Sequence, residues 1–182
     1  MRKLAHLVHE SLDAPDLNAL RVLERHAARA IVTRDDKILL LYTERYDDFS
    51  FPGGGIDPGE TPESGLHREL REETGANDIK ISSHYGFLTE IMPTWKADWD
   101  VMHQTSHWFD CKIGDSLGMT RLEDYEIANG MSVSWITLEE ALSHNRSVIQ
   151  RRPSTMGLSI QRETLVLEHL AMAKETLCAN DN

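Results

Sequence analysis

Residues 53 to 76 read GGGIDPGETPESGLHRELREETGA, a stretch that joins three consecutive glycines to a dense group of carboxylates. Like charges on neighbouring turns of a helix repel by roughly a few tenths of a kcal/mol per pair. A bound cation is the obvious compensation for such crowding. The acids are Asp57, Glu60, Glu63, Glu69, Glu72 and Glu73, and the bases among them are Arg68 and Arg71.

The acidic part of this stretch is predicted to be a helix with well-defined ends. Thr61 suits the N-cap, and Pro62 suits the first helical position because its missing N–H would have no helical partner there. Gly75 is suited to the left-handed residue that ends a helix. Leu66 and Leu70 stand one turn apart, which predicts an apolar stripe that packs on a core.

Three glutamates of this helix are expected to share one face. Glu69, Glu72 and Glu73 stand at i, i+3 and i+4, and oxygen ligands at that density suit Mg²⁺ or Mn²⁺. Without Cβ atoms, residues 53 to 55 can pass close to the helix and direct a carbonyl at the metal. A metal there would activate water against a phosphoanhydride, with one glutamate taking the proton. Taken separately, an acidic helix is commonly a solvated face and a glycine run a flexible loop, so the residues alone leave the metal site open.

The segment as a whole resembles the signature of the Nudix hydrolases, the MutT-like family. Phe51-Pro52 and the later stretch 134 to 142 also look like the family, so the resemblance spans roughly residues 26 to 145. It implies an α/β fold, a Nudix-type α/β/α sandwich with a mixed central sheet. Ala76 is smaller than the aliphatic residue usual at the end of the signature. The matching positions are Gly54, Glu60, Arg68, Glu69, Leu70, Glu72, Glu73 and Gly75.

The resemblance also implies a ligand set for the metal. Glu69, Glu72 and Glu73 are expected to bind Mg²⁺ or Mn²⁺, with the Gly53 carbonyl as a further ligand. The implied activity is that of a Nudix-type pyrophosphohydrolase.

Catalytic roles follow from the same resemblance. Arg68 is expected to orient Glu69, Glu69 to act as general base, and Glu60 to hold the loop by hydrogen bonding. Members of the family often need one more acid from a later loop. Glu126, within the acidic segment 123 to 126, is our candidate, and the alternative is that this segment is only a solvated loop.

Substrate contacts are expected from aromatic residues in the polar segment 93 to 100. Trp95 and Trp99 are the candidates for stacking on a base. Pro93 follows the signature, as in some ADP-ribose-hydrolysing relatives, and favours a nucleoside diphosphate linked to another moiety, such as a nucleotide sugar, ADP-ribose or a nucleoside triphosphate. The alternative is a Nudix-fold module that senses nucleotides without turnover, although such modules commonly have degraded signatures and this one is intact.

Composition narrows the partners and the compartment. The net charge of −11 argues against a surface that coats nucleic acid, and a small phosphate-bearing molecule held through a divalent metal remains compatible with it. Cys111 and Cys178 match no zinc or CxxC spacing and are expected to be ordinary thiols of a reducing cytosol. We find neither a signal peptide nor an apolar stretch long enough for a membrane span, so we expect a cytoplasmic protein.

The remaining pattern predicts the domain layout. Residues 1 to 24 are expected to be a helical extension whose apolar stripe docks on the main body or pairs with a second subunit, and a homodimer is our expectation. Residues 25 to 182 are expected to be the Nudix domain, which ends in a helix at about 158 to 177. Within it we expect a hairpin of 27 to 33 with 37 to 42, strands at 79 to 87, 101 to 113 and 131 to 136, and a helix from 138 to 143.

Overall fold

The computed structural model describes residues 1–13 and 15–180, with side chains through residue 176. Within these residues the chain forms seven strands and four α-helices. The strands are β1 (Lys3–Val8), β2 (Val22–Arg34), β3 (Lys37–Thr43), β4 (Asp48–Ser50), β5 (Lys80–Met92), β6 (Val101–Lys112) and β7 (Met131–Thr137). The helices are α1 (Pro62–Thr74), α2 (Asp124–Ala128), α3 (Leu138–Arg151) and α4 (Ile160–Asn180).

The strands form one mixed sheet in the order β1-β5-β6-β2-β3-β4, with β7 also paired to β3. β1 runs parallel to β5 and β2 runs parallel to β6, whereas β5 and β6 are antiparallel. β2 meets β3 only next to their turn, where Thr33 pairs with Ile38 and Arg34 with Lys37. The long strand β2 therefore connects the two halves of the sheet, and the predicted hairpin is confirmed.

Helices cover both faces of the sheet, as the predicted sandwich requires. Leu66 and Leu70 of α1 pack with Leu39 in one core cluster. Ile38 and Leu40 point the other way and pack in a second cluster with residues of α3 and α4. Alternate side chains of β3 are thus buried on opposite faces, which explains the unbroken apolar run of this strand.

The N-terminal segment differs from the prediction of a helix over residues 3 to 24. Residues 3 to 8 form β1, and residues 17 to 19 form one turn of 3-10 helix. β5 extends to Met92, beyond the predicted end at Phe87, and would otherwise leave a long row of backbone groups unpaired at the sheet edge. A short isolated helix has little stability of its own, so pairing with β5 prevails.

β1 also explains where the apolar stripe of the N-terminus docks. Leu4 and Leu7 pack on the core cluster below α3 and α4. A Cβ atom on Gly86 of β5 would come within 2.8 Å of the Leu4 side chain, so the glycine makes room for it. Of the two predicted cysteine thiols, Cys111 is buried and free, and burial raises its pKa to about 12. The side chain of Cys178 lies outside the described residues.

Candidate active site

Helix α1 begins and ends where the sequence predicts. The Thr61 hydroxyl accepts a hydrogen bond from the Ser64 N–H, and the Ser64 hydroxyl accepts one from the Thr61 N–H, so the two residues form a capping box. Gly75 adopts φ 69° and its N–H donates to the Arg71 carbonyl. A Cβ atom there would lie 2.3 Å from the Gly118 carbonyl oxygen, which only glycine avoids. Both helix ends are therefore fixed by local chemistry.

The glycine loop before α1 lies against strand β2. The Ala28 N–H donates to the Gly54 carbonyl at 3.0 Å, and the Ala30 N–H donates to the Pro52 carbonyl at 2.8 Å. Gly53 has φ 127°, and a Cβ atom on it would lie 2.2 Å from the Ala28 carbonyl oxygen. The backbone can approach β2 this closely only without side chains.

Gly54 brings the same loop against the acidic face of α1. A Cβ atom on Gly54 would stand 2.5 Å from Oε1 of Glu69. The predicted close passage of the glycine backbone along the helix is therefore confirmed, and it occurs at the glycine that begins the signature.

Arg68 is the centre of the hydrogen bonds that join α1 to the loop. Its Nε and Nη2 donate to the two carboxylate oxygens of Glu60, each at 2.9 Å, and Nη2 also donates to the Gly55 carbonyl. Nη1 donates to Glu69 Oε1 at 2.8 Å and contacts Glu72 at 3.5 Å. This bidentate contact lowers the pKa of Glu60 to about 2. Arg68 thus fixes Glu69 and the glycine loop at the same time.

Glu73 is the most buried acid of the helix face. Its Oε2 accepts the Gly53 N–H at 2.6 Å, and the residue is 5% exposed. Burial, followed by the charges of Glu69 and Glu126, raises the pKa of Glu73 to about 8. Burial likewise raises the pKa of Glu69. Three carboxylates thus repel one another within a poorly solvated region.

These acids line a cleft of about 860 Å³ between the glycine loop and the chain segments around α2 and the start of α4. Gly53, Glu69, Glu73 and Glu126 all contribute to its wall. Glu126 lies on α2, which replaces the predicted loop, and is buried. Its Oε2 accepts the Glu123 N–H, and its Oε1 accepts the hydroxyl of Tyr125. A residue 53 positions away from Glu73 is therefore brought to the same cleft.

Two predicted site residues lie elsewhere. Glu72 does not line this cleft but a groove that it shares with Arg71 and Arg121, although Nη1 of Arg68 contacts Glu72 as well as Glu69. Trp95 lines the cleft and is 68% exposed, with the Arg25 guanidinium 5.9 Å from its ring centroid. Trp99 lies on the same loop between β5 and β6, is 39% exposed and does not line the cleft. The structure therefore separates the two tryptophans that the sequence treats as equivalent.

Three buried or nearly buried residues of the cleft were not predicted from the sequence. Asp48, Arg29 and Glu163 line the cleft and are buried or nearly so. Burial, followed by the charge of Glu163, raises the pKa of Asp48 to about 7, and its Oδ2 has no hydrogen-bond partner among the described residues. Of the three, Arg29 could have been noticed in the sequence, because it is a charged residue within the apolar run of a buried strand.

The donor set suits a divalent cation, although the side chains are engaged with protein partners. Among the described residues, no group of three or more His, Cys, Asp or Glu side chains forms a ready-made metal cluster. Glu73 accepts a hydrogen bond from the Gly53 N–H, and Glu69 accepts one from Arg68. The crowded carboxylates with raised pKa values fit a hard dication, because such an ion relieves their repulsion and prefers oxygen ligands.

Comparisons with known proteins show the family to which the chain is similar. A model of the NUDIX domain family matches residues 23–156. An RNA pyrophosphohydrolase of Yersinia enterocolitica is 35% identical over 62% of this chain and 71% of the relative, and one of Yersinia pestis (strain Pestoides F) is 34% identical over the same shares. A NUDIX hydrolase structure from Nitrosomonas europaea is similar in fold, with a TM-score of 0.51 at 18% identity over 81% of this chain and 90% of that one.

The chain belongs to the Nudix family, since the family model covers well over half of it. It is a Nudix-type pyrophosphohydrolase that acts on a nucleoside diphosphate derivative, and enzymes of this family act on small nucleotides and generally use divalent metal ions. The resemblance inferred from the signature over residues 26 to 145 is confirmed, and the match extends further at each end, to residues 23–156. None of the described helices is both long and apolar enough to span a membrane.

Proposed function

We propose that the protein hydrolyses a phosphoanhydride bond in a nucleoside diphosphate linked to another moiety, with Mg²⁺ or Mn²⁺ as cofactor. The observation that carries this proposal is the convergence of the Gly53 backbone with the carboxylates of Glu69, Glu73 and Glu126 on one cleft. A cleft of about 860 Å³ has the size of a small-ligand pocket.

The metal would be held by the Gly53 carbonyl and by Glu69, Glu72 and Glu73. When bound, it polarises phosphoryl oxygens and lowers the pKa of a water ligand. Glu69 is our candidate for the general base, because Arg68 fixes its carboxylate beside the cleft and burial raises its pKa above that of an ordinary glutamate. Glu126 supplies a further carboxylate from α2.

Trp95 and Arg25 form the proposed binding surface for the nucleoside. The exposed indole offers a stacking face at the cleft, and the adjacent guanidinium offers a positive charge. Trp99 is retained as a candidate contact, with less support, because it lies outside the cleft.

A second candidate substrate is a 5′-triphosphorylated RNA end, since the two Yersinia relatives are named RNA pyrophosphohydrolases. The net charge of −11 favours the small nucleotide, because RNA beyond the first nucleotide would meet an acidic protein. A nucleotide-sensing module without turnover is the alternative outside catalysis.

One substrate panel separates these functions. ADP-ribose, UDP-glucose, ATP, diadenosine tetraphosphate and a 5′-triphosphorylated oligoribonucleotide are incubated with Mg²⁺ or Mn²⁺, and released phosphate, pyrophosphate and mononucleotide are quantified. We expect nucleoside monophosphate from the diphosphate derivatives. Pyrophosphate release from RNA alone would favour the second candidate, and nucleotide binding without any product would favour the sensor.

The proposed setting is the cytoplasm, with a homodimer as the working unit. The dimer rests on family habit, because the apolar N-terminal stripe that first suggested it is used within one chain by β1. Light scattering on the purified protein tests it, and a monomeric mass would contradict it.

A further inference from the structure

Helix α4 carries a buried acid that contacts the glycine loop. Glu163 is fully buried in the first turn of α4, beyond the part of the chain that the family model matches. Its Oε2 accepts the Phe51 N–H at 3.2 Å. Its Oε1 accepts Nε and Nη2 of Arg162 at 3.0 and 2.8 Å, and lies 3.4 Å from Nε of Arg29.

Arg29 connects Glu163 to the proposed metal ligand, the Gly53 carbonyl. Its Nη1 donates to the carbonyl oxygens of Phe51 and Gly53, each at 3.1 Å. A carbonyl oxygen has two lone pairs, so the Gly53 carbonyl keeps one acceptor site while it is oriented by Arg29. Two contacts, Glu163 to Arg29 and Arg29 to Gly53, therefore connect Glu163 to the carbonyl of a residue that lines the cleft.

The charges of this group are balanced without a metal. Arg29 and Arg162 face Glu163 and Glu90, and Arg162 also donates to Glu90. A buried ion-pair group of this kind gives little net stability, because the cost of removing the charges from water offsets their attraction. Arg29 and Glu163 also bond the loop backbone, at the carbonyls of Phe51 and Gly53 and at the Phe51 N–H.

We propose that Glu163 is a positioning residue for the metal site, which acts through Arg29 to aim the Gly53 carbonyl into the cleft. This inference rests on the proposed function, because it requires that Gly53 bind the metal. It extends the working site to helix α4 and assigns a role to a residue that touches neither metal nor substrate. Groups that orient a metal ligand typically change affinity or activity by about 10–100-fold when lost.

The test measures Mn²⁺ binding by electron paramagnetic resonance of the free ion, with thermal unfolding of each metal-free variant alongside. Glu163→Gln keeps the side-chain shape but removes the charge that holds Arg29. Arg29→Lys keeps the positive charge but has one nitrogen in place of these two, so it cannot face Glu163 through Nε and donate to the two carbonyls through Nη1 at once. We expect both variants to bind Mn²⁺ about tenfold more weakly.

Glu168→Gln is the matched control, because Glu168 lies on the same helix in a half-exposed ion pair with Arg146. We expect it to bind Mn²⁺ as the unaltered protein does. A fall in melting temperature with unchanged Mn²⁺ affinity in Glu163→Gln and Arg29→Lys would overturn the proposal and leave a structural role. If Glu163→Gln fails to fold, Arg29→Lys alone decides. Absence of Mn²⁺ binding by the unaltered protein would instead contradict the proposed function.

Discussion

Two arginine groups hold the glycine loop from opposite sides, and they differ in charge balance. On the α1 side, a partly exposed Arg68 binds the Gly55 carbonyl and pairs with four carboxylates, those of Asp57, Glu60, Glu69 and Glu72. On the α4 side, Arg29 binds the Gly53 carbonyl within a buried group of two arginines and two glutamates, namely Arg29, Arg162, Glu90 and Glu163.

The difference distinguishes the side that attracts a cation from the side that fixes the loop backbone. The α1 side carries more negative charge than its arginine neutralises, so it retains attraction for a cation. The α4 side has two arginines and two glutamates that are largely buried, so its charges balance one another within the protein, although Nε of Arg29 has no hydrogen-bond partner among the described residues. Excess negative charge beside the cleft thus indicates the reactive half of the site. Balanced, buried charge indicates the half that fixes the backbone of the glycine loop.

The largest expected effect tests the charge excess of the α1 side. Glu73→Gln should lower kcat by about a thousandfold, within the range for loss of a proton-transfer group or metal contact. The fold should survive, because the amide oxygen can still accept the Gly53 N–H and the burial penalty of a carboxylate is removed. Steady-state kinetics with the best substrate of the panel, plus thermal unfolding, measure both.

Glu72→Gln provides the contrast within the same helix face. We expect a large loss of turnover here as well, but a smaller one than in Glu73→Gln, because Glu72 lies outside the cleft. Glu63→Gln, on the exposed first turn of α1, is the control. Unchanged hydrolysis in both Glu72→Gln and Glu73→Gln would refute the assigned metal site.

Arg68→Lys tests whether the α1 side depends on geometry as well as charge. Lysine keeps the positive charge but cannot bind both oxygens of Glu60 while reaching the Gly55 carbonyl and Glu69. We expect about a hundredfold loss of kcat/KM. Kinetics of Arg71→Lys, an exposed change on the same helix, should match the unaltered protein, and equal activity of both variants would contradict a positioning role for Arg68.

Asp48 lines the cleft together with Glu163, whose charge raises the Asp48 pKa, and Asp48→Asn tests whether this carboxyl adds negative charge to the α4 side. The folded-state pKa of Asp48 is raised from 3.8 to about 7, so the folded protein keeps a proton that the unfolded chain releases in this interval. The free energy of unfolding should therefore fall by about 4 kcal/mol between pH 4 and pH 8 on account of this group, a loss absent from the asparagine variant.

Urea unfolding across that pH range measures the Asp48 effect. The stability of Asp48→Asn relative to the unaltered protein should rise with pH and level off above pH 7. Asp36→Asn, on the exposed β2–β3 turn, should show a constant difference. A constant difference for Asp48→Asn would mean that the carboxylate is ionised in the folded state and that the α4 side carries net negative charge.

The smallest expected effect concerns the open end of the cleft. Trp95→Ala should raise KM by about tenfold with little change in kcat, because it removes a stacking surface worth about 1–3 kcal/mol for a base. Trp99→Ala should change KM little, because Trp99 lies outside the cleft. Initial-rate kinetics distinguish them, and equal effects of the two changes would place the nucleoside elsewhere.

The parts of the fold that sequence predicted correctly are governed by neighbouring residues. The ends of α1 depend on Thr61, Ser64 and Gly75, which bond within the same segment. The β2–β3 hairpin depends on two apolar runs and a polar turn. The helix predicted for residues 3 to 24 is wrong, because the conformation of the first strand depends on pairing with β5, some 80 residues away.

The sequence by itself determined the reaction class, because the glycine, glutamate and arginine positions of residues 54 to 75 lie within one loop and one helix whose geometry is local. Only the tertiary structure decided which distant residues contact that segment and which of them line the cleft. Glu126 reaches the cleft on α2, while Arg29 and Glu163 meet behind the loop from opposite ends of the chain. Such contacts form because folding buries charged residues that are far apart in the sequence next to one another. The spacing of residues in the sequence does not predict them.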